Sequence, residues 1–170
     1  DGGAGRVICA IPALEKYAKK NPDKDFNVII GGWDNLTYGN RLLQDKTYSM
    51  DVKGLFNLLI KDNDLIHPEP YLIHDYYNQK CSLIEGFDKI INETDDHSDL
   101  EKPHLYLCKA EEKMAANQLA AVKSKQGKDK TIVIQPFGRS ARVDNGDIKD
   151  DSTRSIEPNV YLQLVKKLSQ

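Results

Sequence analysis

Apolar residues Val7, Ile8, Ile11, Leu14, Tyr17 and Ala18 recur at three- and four-residue spacing, which predicts a helix from about Arg6 to Lys20 with one buried face. Pro12 lies inside that span and removes one backbone bond, so a bend is expected near the first turns; Asn21-Pro22-Asp23 ends the helix. Phe26-Asn27-Val28-Ile29-Ile30, closed by Gly31-Gly32, reads as a buried parallel strand. Helix followed by strand implies a βαβ unit. Trp33 to Gly39 reads as loop, followed by a short strand near Tyr48-Met50 and a weak helix around Leu55 to Ile60. Two prolines keep Leu65 to Tyr71 out of helix, so strand and loop are expected there and through His74-Asp75-Tyr76-Tyr77-Asn78.

Ser82 to Phe87 and Lys89 to Ile91 carry short apolar runs, and Glu93 to Lys102 is an acidic, solvated loop. Pro103 to Leu107 reads as another strand. Lys109 to Lys125 is built from strong helix formers, with Gly127 placed to stop it. Thr131-Ile132-Val133-Ile134 is almost uniformly β-branched and predicts the first strand of a second α/β unit, so a domain boundary is expected near Gly127. Gln135 to Ser155 reads as a loop rich in glycine, asparagine and aspartate. From Asn159 to Ser169, helical spacing resumes through Val160, Leu164, Val165 and Leu168.

The 170 residues are 39% apolar, enough for a buried core. A net charge of −2 offers no global field for nucleic acid or an anionic membrane, so an anionic ligand would need local charge. Cys9, Cys81 and Cys108 are far apart, without CxxC spacing, which suggests neither disulfide framework nor zinc site and points to a reducing, cytoplasmic setting. No apolar run approaches the roughly 18 residues of a membrane span. A glycine turn of the kind at Gly2 to Gly5 usually follows a buried strand, so residues are expected ahead of Asp1.

Two segments could carry chemistry. Gly2-Gly3-Ala4-Gly5 opens a helix whose N-terminus suits a phosphate or carboxylate, or the glycines only permit a tight turn. Pro136-Phe137-Gly138-Arg139-Ser140-Ala141-Arg142 follows a strand and offers fork-shaped donors to a diphosphate, although Asp144, Asp147, Asp150 and Asp151 could pair with those arginines instead. Trp33 and Tyr38 could flank a sugar or cap the core. His74 and Asp75 could form an acid/base pair, while His67, His97 and His104 lack metal-ligand spacing.

Three blocks in order resemble one family. Gly3 to Leu14, Lys102 to Leu107 with the helix after it, and Ile132 to Arg142 with Arg154-Ser155-Ile156 and Tyr161 to Leu164 resemble the heptosyltransferase-like glycosyltransferases, glycosyltransferase family nine, of GT-B fold. The resemblance implies an α/β fold, a Rossmann-like parallel sheet with flanking helices. Residues 1–127 would form the acceptor-side domain and residues 128–170 the start of the donor-binding domain, with on the order of 100 further residues expected to complete it. It implies inverting transfer from a nucleoside diphosphate sugar to a glycan or lipid-linked acceptor, with no metal or other cofactor, no nucleic acid, and at most peripheral membrane association. Gly138, Arg139, Ser140, Arg142 and Arg154 would hold the donor, and Gly3 and Gly5 would support the phosphate-facing turn.

One position departs from the pattern. The family places its acceptor-activating aspartate directly after the second glycine, where this sequence has Arg6, and an arginine is no base at neutral pH. Asp34 or Asp1 could supply the base, or Arg6 could hold an anionic acceptor. A non-catalytic module that kept the fold and lost the base is the alternative. A dinucleotide enzyme fits less well, because no complete GxGxxG follows a strand and Gly31-Gly32 stand where an acidic residue would end the second strand.

Overall fold

The first helix, α1, runs Ala4–Lys20 and realises the apolar spacing read from the sequence. It belongs to a computed structural model in which residues 3–126, 130–138, 140–150 and 154–169 are described. These residues form a mixed α/β structure that divides into two compact units, Asp1–Met114 and Ala115–Gln170. Gly127, where the sequence puts the boundary, lies outside the described residues.

In the first unit, strand β1 (Val28–Ile30) pairs in parallel with β2 (Thr47–Ser49), Ile29 opposite Tyr48. A turn at Asp34–Thr37 lies on the connection between them, and a short, wide helix at Phe56–Ile60 stands where the weak helix is expected. A short helix, α2 (His74–Tyr77), and the turn Pro70–Leu72 replace the expected extended segment. Prolines at 68 and 70 exclude long helix but are well suited to a single tight turn, with Pro70 in its first position.

Helix α3 (Leu83–Ile91) is a correction to the sequence reading, which saw only short apolar runs. Its start is a complete capping box: Glu85 N donates to Ser82 Oγ at 3.3 Å and Ser82 N donates to the Glu85 carboxylate at 2.6 Å. α3 packs on α1, and Ala13, Phe87 and Ile91 form the core between them, with Cys9, Leu14, Tyr17 and Leu83 around it. Ile11 and Leu43 are fully buried. Burying side chains of this size contributes about 2 kcal/mol each. α1 is covered on more than the one face its apolar stripe implies, since Glu15 and Lys16 are buried as well.

Pro103 to Leu107 forms no strand, although its composition favours one. A strand is held by a neighbour's backbone, and no described strand pairs with this segment. Helix α4 (Lys109–Gln126) matches the expected span, but its described side chains, 109–125, are exposed on every side. Intrinsic propensity, Glu111 and Glu112 in its first turn and Lys123 and Lys125 in its last are what favour it.

In the second unit, Thr131 to Ile134 is irregular, with Val133 90% exposed. Again, no described strand pairs with this β-branched run. Regular pairing occurs instead in a hairpin of β3 (Arg142–Asp144) and β4 (Asp147–Lys149), within the stretch read as loop. Asn145 (φ 52) and Gly146 (φ 87) make the turn with two left-handed residues, the geometry that Asn-Gly favours. Helix α5 (Pro158–Leu168) starts on a side-chain bond in which Val160 N donates to the Glu157 carboxylate at 3.0 Å. No described side chain of this unit is fully buried.

Candidate functional site

At the start of α1, Gly3 is the cap residue, and its carbonyl accepts from Arg6 N at 2.9 Å. Added side-chain atoms at Gly3 or Gly5 would meet nothing within 4 Å, so packing does not demand glycine at either position. Arg6 turns away from an open-ligand role. Its Nη2 donates to the Pro68 carbonyl and to the Glu69 carboxylate, each at 2.9 Å, and its guanidinium lies 5.4 Å from the Tyr71 ring and 6.0 Å from the Phe87 ring. The residue that replaces the expected aspartate therefore ties α1 to the Pro70–Leu72 turn.

Asp34 stands just past the carboxyl end of β1, the edge where parallel α/β sheets present ligands. Gly32 (φ 75) and Trp33 (φ 68) swing the chain off the strand and into the Asp34–Thr37 turn. The Asp34 carbonyl accepts from Thr37 Oγ1 at 2.8 Å, and its carboxylate accepts from Tyr38 Oη at 3.3 Å. Trp33 and Tyr38 are both exposed, so neither caps the core. No hydrogen bond or ion pair among the described residues joins Asp34 to Arg6.

The 136–155 loop of the second unit gathers part of its expected set. Gly138 N donates to Ser155 Oγ at 2.9 Å, Ser155 Oγ donates to the Asp150 carboxylate at 2.5 Å, and Ser140 Oγ donates to that same carboxylate. Ile156 N closes the loop onto the Pro136 carbonyl at 2.7 Å. The Ser140 and Ser155 hydroxyls are thus already taken by an oxyanion of the protein's own, and the Gly138 amide by Ser155. Arg142 sits on β3 opposite Lys149, and Arg154 is exposed beside Ser155. Arg139 and Asp1 lie outside the described residues.

A buried network escaped the sequence reading. Lys16 Nζ donates to Asp88 at 2.8 Å, to Asp99 at 2.5 Å and to the Asp96 carbonyl at 2.8 Å. Asp88, with no exposed surface, also accepts from Asn92 Nδ2 at 2.7 Å and meets His97 Nδ1 at 2.7 Å. The hydrogen bond from Lys16, with help from Lys20, holds the Asp99 carboxyl at about 2, and the bonds to Asp88 and Asp99 raise Lys16 despite the opposing effect of burial. Each group answers another within the network, which anchors the acidic loop to α1. Lys16 and Asp88 are 72 residues apart, so no linear motif announces them.

His74 and Asp75 do approach, at 3.6 Å, but the stronger partner of Asp75 is Lys89 at 3.0 Å. The Lys89 bond, then that of His74, draws the Asp75 carboxyl below its ordinary value, leaving an anchored anion where a general base needs an available one. Among the described residues no group of three or more His, Cys, Asp or Glu is placed to hold a metal ion, and no helix is long and apolar enough to cross a membrane. No family model matches this chain, and neither a curated protein nor a solved structure does.

Proposed function

We propose that the protein is a glycosyltransferase of the heptosyltransferase-like kind, moving a sugar with inversion from a nucleoside diphosphate donor to a glycan or lipid-linked acceptor. The observation that carries this reading is the 136–155 loop, whose Gly138 amide and Ser140 and Ser155 hydroxyls form a chain ending on one carboxylate, Asp150. The Ser140 and Ser155 hydroxyls that hold Asp150 would hold a phosphate oxygen in its place once that carboxylate is displaced, and Arg139, Arg142 and Arg154 would add charge to it. The Rossmann-like, GT-B character belongs to the same proposal; a helix leading into the parallel pair β1 and β2, with glycines at the carboxyl end of β1, supports it.

In this mechanism the acceptor hydroxyl oxygen attacks the anomeric carbon as the bond to the donor's phosphate oxygen breaks. The hydroxyl proton passes to a carboxylate, and the nucleoside diphosphate leaves with the electron pair. The proton acceptor is Asp34, because Arg6 cannot accept one. The loop cations and hydroxyls offset the charge growing on the diphosphate.

Calorimetric titration with a panel of uridine, adenosine, guanosine and cytidine diphosphate sugars tests this, together with transfer to glycan acceptors. Binding of one donor class, weakened by Arg142→Ala, with transfer lost in Asp34→Asn, is the expected result. Silence across the panel overturns it.

The engagement of Arg6 with Glu69 favours a second reading, a binding module without transferase chemistry. Donor binding without transfer supports the module, provided that Arg6→Asp combined with Glu69→Gln gains no activity. The paired change is needed because a lone aspartate at position 6 would face Glu69.

A further inference from the structure

The Pro70–Leu72 turn, α2 and the turn after it enclose an open, shallow cavity of about 440 Å³ lined by Tyr71, Tyr76, Tyr77, Gln79 and Cys81. The residues that line it are three tyrosines, one glutamine and one cysteine, none of them charged. Tyr77 is 81% exposed, so its ring is presented to solvent with little of its surface used in packing.

The residues that line the cavity are held by their neighbours. Tyr71 and Tyr76 meet edge to face, centroids 5.5 Å apart, and the Arg6 guanidinium beside Tyr71 is itself fixed by Glu69 and the Pro68 carbonyl. Lys89 holds Asp75, the acidic residue of α2, and Asp75 in turn accepts through its backbone carbonyl from Lys80 N at 2.8 Å, closing the turn that carries Gln79. Gln79 occupies that turn at φ 58, a left-handed position where glycine or asparagine fits with less strain. An observed outlier of this kind is a reason to ask what the side chain does. Gln79 is one of the residues that line the cavity, and its carboxamide is both donor and acceptor.

We propose that this tyrosine-lined cavity binds an uncharged carbohydrate ring. Phenol faces accept the C–H side of a pyranose, while the Gln79 carboxamide and the phenol hydroxyls answer its hydroxyl groups. Arg6 acts here as a positioning residue, which gives the substitution at that site a use independent of transfer chemistry. Burial, with further contributions from Glu85 and Asp75, pushes the Cys81 thiol up, which disfavours its thiolate.

The test uses the full chain, with tyrosine ring signals followed by NMR while maltotriose or the trisaccharide of N-acetylglucosamine is added, and indole in a parallel sample. Saturable shifts of the Tyr71, Tyr76 and Tyr77 rings with either saccharide, weakened about tenfold in Tyr77→Ala, are expected. Tyr77 is largely exposed, so that variant keeps its fold, and Gln79→Gly, which relieves the left-handed strain, should weaken binding while raising thermal stability. Response to indole but to neither saccharide overturns the proposal, as does saccharide binding that is unchanged in both variants. Nucleotide-sugar binding is read separately on the same protein, so failure of one reading leaves the other standing or falling on its own result.

Discussion

Lys16 and Lys19 stand three residues apart on α1, and each is paired with a carboxylate, yet their replacement should have very different consequences. Lys16 is 4% exposed at its side chain and Asp88 is not exposed at all, whereas the Lys19 and Glu101 side chains are 51% and 67% exposed. Lys16→Met keeps most of the methylene packing and removes the ammonium. Asp88 is then left in the interior with Asn92 and His97, and breaking a buried pair by removing one partner costs about 3–5 kcal/mol. Lys19→Met removes a solvated pair worth less than about 1 kcal/mol. A gap of about 2 kcal/mol or more corresponds to a roughly 30-fold difference in the unfolding constant.

The chain's only tryptophan, Trp33, lies in the first unit, so its fluorescence during urea unfolding reports on the unit that holds both pairs. The midpoint should fall steeply for Lys16→Met and barely for Lys19→Met, at unchanged slope. Equal midpoint shifts in the two variants would falsify the claim that burial, and not ion pairing as such, sets the cost.

Two further outcomes follow from the same unit. Gly39 is at φ +78, and a methyl group placed on it would stand 2.9 Å from Tyr106 Cβ, so Gly39→Ala should cost about 1–3 kcal/mol by strain and contact together; a thermal midpoint equal to that of the parent protein would rule this out. The Asp99 carboxyl is depressed from 3.8 to about 2, by the Lys16 hydrogen bond above all, so the unfolded chain takes up its proton first on acidification. Its contribution is therefore complete above 3.8 and disappears as pH falls through about 2, and Asp99→Asn should flatten the acid limb of stability in that window. An identical acid limb in the variant would remove Asp99 from the account.

How far the sequence could be read depends on how local each signal is. The spacing of Ile11, Leu14 and Tyr17 and the Ala-, Glu- and Lys-rich run from Lys109 are local, and α1 and α4 follow from them. Two other signals are equally local: Ser82 with Glu85 marks the start of α3, and Asn145-Gly146 marks the hairpin. Strands at Leu105 and Val133 were expected from β-branched and apolar composition alone, and neither forms. Composition makes a segment fit for a sheet, but the hydrogen bonds must come from another part of the chain.

The candidate sites divide in the same way. Sequence order brings Gly138, Ser140, Arg142 and Arg154 into one short stretch of chain, and Arg6 to the first turn of α1, by chain connectivity alone. Only the tertiary structure pairs Arg6 with Glu69, closes Lys16 on Asp88 and sets three tyrosines around one cavity. Contacts across 63 or 72 residues depend on how α1, α3 and the Pro70–Leu72 turn pack, and that is a property of the whole unit's burial, which no short window of sequence contains.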